Sequence, residues 1–569
     1  MREHRSGSQI LFGYLPEQTV DLAGKVWKVR RWSNANPQAV DDNAVREELI
    51  RQAAAWERTG NDNDFVNDLR RGMAINVRTL NHSSGVEVEP YPQVWICKRC
   101  RRVVTANDRD CRCGVRSWGQ LHFVGFHDCG IVRAPFIPRC PTHRESRIRF
   151  PGTSSAAEIL IDCPVCQRVL RNGLGFINCD CGDGFISFTV HRAARVYTPR
   201  GIVIVNPPTP QQVQDLRDAG GAARALQWVV DGMNSQSARD LGRTRTGFFR
   251  QLISQGFDET SAQTLTDQAV QLGQIGDDDA TTIELPDAQR QDAETQAVKI
   301  AMATFESRCR IDDLSSASVQ GSILQQRYQT DYPEAFNSAG LVSVEFIDRF
   351  PVLTGNYGYT RGSSDPGATR LVAFRDRNRE YLIHADIAMT EALFLRLDPV
   401  RVARWLEVRG HQLAPFNDER SARISIIAAS QIPAPGTDPP NRATVGSDVL
   451  TLVHSLSHRF IRRAAVHAGV DRNALSEFLV PIHLGFFVFA AARGGFVLGG
   501  LQALFETELD LLLDEVVFSE HRCALDPGCN RAGSACAACL HLGEPSCRFF
   551  NRFLGRDTLR GPSGYFDME

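Results

Sequence analysis

The cysteines of this chain are gathered rather than scattered: of 16 in 569 residues, ten lie between positions 97 and 181 and five between 523 and 547. The N-terminus (Met1-Arg-Glu-His-Arg-Ser-Gly-Ser8) has no apolar stretch of the kind a secretory signal carries. A cytoplasmic chain with reduced thiols is therefore expected. In that setting clustered cysteines are metal ligands before they are disulfides. Segments too short to build a hydrophobic core can fold around a tetrahedral ion instead.

Cys97-x-x-Cys100 is followed by Cys111-x-Cys113, and Cys163-x-x-Cys166 by Cys179-x-Cys181. Each quartet consists of two close pairs, as in a zinc ribbon. In each the second pair precedes a glycine, Gly114 or Gly182, free to take a positive φ. A redox role for the C-x-x-C pairs leaves the matched second pairs unexplained. Between the quartets lie His127-x-Cys129 and Cys140-Pro-Thr-His143, which together make a third set of two thiolates and two imidazoles. His122 is the alternative to His127. Near the C-terminal end five cysteines compete for four places; the expected ligands are Cys529, Cys536, Cys539 and Cys547, with Cys523 spare. Cys309 stands alone and reads as a small buried residue. Roughly three to four zinc ions per chain are expected, in closed structural sites without an open position for water.

The length predicts two to four domains, and 43% hydrophobic with 23% charged residues is ordinary for a globular chain. The net charge of −2 conceals an uneven distribution. Residues 97–200 carry 17 Lys+Arg against 8 Asp+Glu, whereas residues 206–300 carry 8 against 14. A basic, zinc-rich block predicts a polyanion-binding surface. Arg99, Arg101, Arg102, Arg112, Arg116, Arg139 and Arg144 are the candidate phosphate contacts, through charge-assisted hydrogen bonds. The plainer alternative is that these arginines only keep small metal modules in solution.

The expected fold class is α+β and multidomain: N-terminal zinc-ribbon-like modules, a helical middle and a C-terminal α/β zinc-binding domain. Residues 1–95 form a mixed N-terminal segment with a helix over 44–56, where Val45, Leu49, Ala53 and Trp56 recur at helical spacing. Residues 96–205 form the zinc-ribbon-rich basic domain, closed by a strand at 201–205 and the boundary signal Asn206-Pro-Pro-Thr-Pro210. Residues 206–340 are mainly helical, with an acidic loop at Asp277-Asp-Asp279. Residues 341–569 open with strands at 341–347 and 369–374 and a helix at 398–409. They continue with a helix carrying Val449, Val453, Leu456 and Phe460, an apolar strand pair around Arg493-Gly-Gly495, and a helix from about 499 to 518.

Several function classes find no support. The phosphate-loop pattern G-x-x-x-x-G-K-[ST] is absent, which argues against an ATPase. Gly355-Asn-Tyr-Gly358-Tyr-Thr-Arg361-Gly362 lacks its lysine and reads as a hairpin or nucleic-acid-contact loop. His454-Ser-Leu-Ser-His458 has the histidine spacing of a metalloprotease, but position 455 is serine where the catalytic glutamate would stand. The pair reads as polar tips packed at a domain junction. The apolar stretch 479–492 is too short and too interrupted to span a bilayer.

An ordered series of motifs in the last third resembles a known family. It runs through His454-Ser-Leu-Ser-His458, Val470 to Glu477, Gly494-Gly495, Gly499-Gly500-Leu501 and Cys523-x-x-Asp526-Pro527-x-Cys529. It ends in Cys536-x-x-Cys539, Glu544-x-Ser546-Cys547 and Asn551-Arg-Phe-Leu554-Gly-Arg556. These residues resemble the MrfA-type zinc-binding domain, particularly the DrmB family of the DISARM anti-phage defence system. Val352-Leu353-Thr354-Gly355 and Tyr359-Thr360-Arg361 are similar to an upstream element of that family. The chain departs from it at Leu554-Gly555-Arg556, where Leu-Asp-Arg is usual. The resemblance implies a non-enzymatic, zinc-containing, DNA-binding subunit, a heterodimer partner of a superfamily 2 helicase of the DrmA type. The alternatives are a zinc-dependent nuclease or hydrolase using His454 and His458, or a protein-interaction scaffold that never touches DNA.

Overall fold

The computed structural model describes residues 2–3, 7–81, 85–104, 111–152, 156–233, 245–271, 283–306, 308–435, 437–471, 474–490, 499–543, 547 and 549–568. The fold is mixed α+β and multidomain. It forms two compact units, one of Met1–Pro207 with Leu353–Ile387, the other of Pro208–Val352 with Ala388–Glu569. The chain crosses between them inside two long strands, Leu341–Thr360 and Tyr381–Leu397. This division departs from the four successive segments expected from sequence, and buried polar side chains give the reason.

In the first unit the helix Asp42–Thr59 buries Val45, Leu49, Ala53 and Trp56, the residues read as its apolar face. The Asp41 carboxylate caps its start by accepting from the Ala44 amide at 2.9 Å, and Gly60 ends it at φ 71°. The helix packs against Phe65, Val66 and Leu69, the strand Ile75–Thr79, and residues 353–385. Beside it an antiparallel sheet is ordered Arg2–Glu3, Gly85–Pro90, Lys25–Ser33, Thr19–Leu22. Buried Gln120 joins this sheet to the cysteine-rich block. Its Oε1 accepts from the Val26 amide (2.8 Å), and its Nε2 donates to the carbonyls of Val26 and Pro92 (both 2.9 Å). The Thr19 hydroxyl and Tyr197 hydroxyl donate to the carbonyls of His191 and Pro16. Residues 1–95 and 96–205 therefore share one unit, because each supplies hydrogen bonds the other's interior needs.

Of the two expectations for residues 355–361, the structure gives an antiparallel pairing, Gly358 opposite Ala373 and Tyr359 opposite Val372, and not a loop. The segment lies in the strand Leu341–Thr360 and just beyond it, and its glycines mark close strand approach. A Cβ on Gly358 would sit 2.4 Å from the Val372 carbonyl oxygen. Arg361 is 0% exposed, and its guanidinium donates to the carbonyls of Gly130, Val196 and Glu17 between the rings of Tyr197 and Tyr359. Buried and fully engaged, it is a strut of the unit and not the nucleic-acid contact expected of this segment. The strand expected at 369–374 shrinks to Val372–Ala373.

The second unit is built around the helix Val445–His467, whose buried residues include Val449, Val453, Leu456 and Phe460. Thr444 and Ser447 form a reciprocal capping box at its start. The strands Leu475–Val480 and Gly485–Ala490 pair antiparallel and continue onto Ala392–Arg396. Their turn is Pro481–His483 with Leu484, not Arg493-Gly-Gly495, which lies outside the described residues, as does Asp277–Asp279. The helix expected over 398–409 is Pro399–Val408, capped by Asp398. The one expected over 499–518 is two, Gly500–Thr507 and Leu509–Phe518, broken at Glu508, whose φ of −135° is not helical.

A second buried charge cluster ties residues 208–340 to the C-terminal part of this unit. Glu345, 0% exposed, lies 2.8 Å from Arg308 and 3.0 Å from Arg396. Burial alone would raise the Glu345 carboxyl, but Arg396 and Arg308 outweigh it and hold it below its ordinary value. Arg327 grips Asp510 with two nitrogens, and the Tyr328 hydroxyl donates to the Glu506 carbonyl. These contacts remove the boundary expected at 340/341. Glu345→Gln strips the counter-charge from two buried guanidinium groups and is expected to cost about 3–5 kcal/mol. Amide exchange at positions 344–347 should accelerate accordingly; unchanged protection would refute the account.

Candidate metal centres

Three sets of ligating side chains sit in the first unit, on the turns and segments that adjoin strands of two to four residues. Cys97, Cys100, Cys111 and Cys113 converge as expected, with Sγ–Sγ separations of 3.6 Å (Cys97–Cys113) and 3.4 Å (Cys100–Cys111). Tetrahedral zinc with Zn–S bonds of about 2.3 Å places thiolates about 3.8 Å apart. The strands Val103–Val104, Trp95–Cys97 and Trp118–Gln120 carry the two turns. Arg101 takes φ 60° and returns its amide to the Cys97 carbonyl, and Gly114 at φ 80° does the same for Cys111.

The other eight ligands are those expected, but they are partnered differently. His127 and Cys129 meet Cys179 and Cys181, while Cys140 and His143 meet Cys163 and Cys166. In the first of these sets Cys129 Sγ lies 3.5 Å from Cys179 Sγ, and Cys181 Sγ lies 3.5 Å from His127 Nδ1. In the second, His143 Nδ1 is 3.6 Å from both Cys140 and Cys163, and Cys140 is 3.9 Å from Cys166. Neither Cys163/Cys166 with Cys179/Cys181 nor His127/Cys129 with Cys140/His143 forms a set. Strand register is the cause. Phe126 pairs with Ser187, which lays 127–129 beside 179–185, and Arg149 to Arg147 pair with Leu160 to Asp162, which lays 140–143 beside 163–166. Within these two sets the pairs that meet have equal spacing, one intervening residue in the first and two in the second, whereas the Cys97/Cys100 and Cys111/Cys113 pairs of the first site do not. His122 is not a ligand; its ring lies against His191.

The turns repeat the first site's design. Arg144 (φ 58°) and Gln167 (φ 59°) follow their pairs in the left-handed region, as Arg101 does, and Gly182 mirrors Gly114. The His143 amide, above all, pulls the Cys140 thiol down to about 6, as suits a group that binds as thiolate. Beside Cys163, the buried Asp162 carboxylate takes two nitrogens of Arg147 (2.9 and 2.7 Å) and one of Arg149 (2.7 Å).

In the second unit the C-terminal set is Cys523, Cys529, Cys536 and Cys539. Cys523, expected to be spare, is a member at 3.5 Å from Cys536, and Cys529 lies 3.7 Å from Cys539. Asp526 folds the first turn inward by accepting from the amides of Cys523 (2.9 Å) and Asn530 (3.1 Å). Arg556 clamps it through an ion pair to Asp526 at 2.8 Å and bonds to the carbonyls of Ser534 and His521. Cys547 belongs instead with His454, His458 and Glu477, all four buried. Sequence reading missed that fourth partner because the acidic ligand comes from a neighbouring strand and not from position 455. Every cysteine except Cys309 falls in one of these sets, and each set could hold a metal ion.

Of the seven candidate arginines, Arg102 and Arg112 are drawn to Glu145 at 3.1 and 2.5 Å. Arg99, Arg101, Arg139 and Arg144 are exposed and make no ion pair among the described residues; Arg116 is exposed as well. No helix among the described residues is long and apolar enough to cross a membrane.

Residues 6–188, about a third of the chain, match a family model described as "Domain of unknown function (DUF8724)". The match takes in the N-terminal sheet and the first three ligand sets together. No curated protein matches the chain.

The partnering has a direct test. Cys163→Ala and Cys181→Ala strike different sets, so the double variant should lose two metal equivalents where each single variant loses one. Cys179→Ala with Cys181→Ala strikes one set and should lose a single equivalent. Elemental analysis of the folded proteins distinguishes this from the ribbon pairing, in which the first double variant would also lose only one.

Proposed function

We propose that this protein is a non-catalytic, zinc-containing DNA-binding subunit that works with a superfamily 2 helicase of the DrmA type in an anti-phage defence complex. The observation that carries the DNA-binding part is the surface around the first three ligand sets. Phe136, Phe150, Phe176 and Phe185 stand 63, 42, 92 and 60% exposed there, unusual for phenylalanine. The Arg101 guanidinium lies over the Phe150 ring at 5.9 Å, and that of Arg171 over Phe136 at 5.6 Å. Exposed aromatic faces beside guanidinium groups are what single-stranded nucleic acid requires: rings on which bases stack and cations for the backbone. The four-residue closed sets fit structural metal, and the absence of a phosphate loop leaves ATP hydrolysis to a partner. The helicase partner and the defence setting rest on the motif resemblance between positions 345 and 560.

The hydrolase alternative loses ground on burial. His454 and His458 are both 0% exposed, out of reach of any substrate. A cytoplasmic location is part of the proposal.

Binding of labelled single- and double-stranded DNA to the full-length chain tests the reading. Phe150→Ala should weaken single-strand binding by about 1–3 kcal/mol. Replacing Arg99, Arg101, Arg139 and Arg144 with alanine should flatten the salt dependence, by roughly 0.7 in log–log slope for each phosphate no longer neutralised. No DNA retention at low salt, with or without a co-purified helicase, would remove direct DNA contact.

A further inference from the structure

His454 and His458 stand one turn apart on the helix Val445–His467, Glu477 lies on the strand Leu475–Val480, and Cys547 comes from the C-terminal stretch. Their exposures are 0, 0, 1 and 2%. His454 Nε2 is 3.0 Å from Glu477 Oε1 and 3.3 Å from Cys547 Sγ, and His458 Nε2 is 3.4 Å from Glu477 Oε1. All four ligating atoms fall within 4.8 Å of one another.

A buried histidine–glutamate ion pair is the competing explanation, and two observations separate the readings. First, His458 Nε2 and Glu477 Oε1 are both buried without a hydrogen-bond partner among the described residues, although they lie only 3.4 Å apart within the cluster. Second, every ligand side chain is held by an orienting bond, at the atom away from the cluster in the two histidines and the glutamate and at the sulfur itself in Cys547. His454 Nδ1–H donates to the Phe553 carbonyl (3.2 Å) and His458 Nδ1–H to the Leu540 carbonyl (2.8 Å). The Ser457 hydroxyl donates to Glu477 Oε2 (2.7 Å), and the Asn551 amide donates to Cys547 Sγ (3.3 Å). Imidazoles that ligate metals characteristically donate their other N–H to a carbonyl, which fixes the tautomer and aims the Nε2 lone pair at the ion. Here two imidazole lone pairs, a carboxylate oxygen and a sulfur are aimed at one enclosed point. With both imidazoles neutral, these electron pairs repel one another unless a cation sits at that point.

The charge balance accommodates a metal ion. A carboxylate and a thiolate contribute −2 and neutral imidazoles nothing, so one dication makes the enclosed site electrically neutral, as a wholly buried position demands. We propose that His454, His458, Glu477 and Cys547 form a further structural metal site that takes one divalent ion of the zinc class. Two nitrogens, one sulfur and one carboxylate oxygen complete a tetrahedral shell and leave no open position. The ion staples the central helix to its neighbouring strand and to the C-terminal stretch. The site is linked to the four-thiolate set beside it: the carbonyl that orients His458 belongs to Leu540, the residue after Cys539.

Zinc content of the purified full-length chain, by elemental analysis and intact mass under non-denaturing conditions, tests the proposal. His458→Ala and Cys547→Ala should each carry one zinc fewer than the wild type, while Cys309→Ala keeps the full content. Unchanged content in both folded variants overturns it. Should either variant fail to fold, the wild type decides. One zinc beyond those of the four cysteine-rich sets supports the site, and a total of four overturns it.

Discussion

Convergence of ligating atoms is the constraint on which the cysteine-rich block of the first unit depends. Among the described residues between 97 and 190 no strand exceeds four residues, and the apolar clusters beneath them are small. One gathers Ile96, Leu121, Ile148, Ile159, Ile161 and Leu174; another only Val124, Phe126 and Val196. Such clusters offset little of the conformational entropy lost in ordering so many turns. Four ligands drawn onto one ion would supply what the apolar contacts cannot, and would do so at the turns, where the backbone is otherwise least constrained.

Ligand identity and ligand partnership were legible to different degrees, for physical reasons. Pairs such as Cys97/Cys100 and Cys179/Cys181 are local, and their spacing alone puts two donors on one turn. Which pairs meet depends on strand register, as in Phe126 against Ser187, and register is set by contacts far apart in the chain. The same distinction explains Cys547. Counting cysteines near the C-terminus placed it with its neighbours, whereas the fold sends it to two histidines some ninety residues earlier. The long helix was readable because Val449, Val453, Leu456 and Phe460 sit on one face. Glu477, on a strand beside that helix, left no periodic trace.

Buried charge joins distant segments alongside the apolar core. Arg361 satisfies three carbonyls from separate stretches of the first unit, and Glu345 holds Arg308 and Arg396 in the second. Each fixes where segments distant in sequence must meet, since any other arrangement strands a charge away from water. Segments that composition separates sharply, such as the polar N-terminal stretch and the cysteine-rich block, are merged by these requirements.

The second and third ligand sets are nested: Cys140/His143 with Cys163/Cys166 lie within the span enclosed by His127/Cys129 and Cys179/Cys181. Closing a loop costs entropy that rises with the logarithm of its length. The inner set closes the shorter loop and, once closed, shortens the effective span the outer set must bridge. An ion bound at the outer set first would be held against the larger loop, so loop closure would favour loading from the inner set outward. At equal intrinsic affinity, the nesting alone would set the direction of assembly, from the inside of the block to its rim.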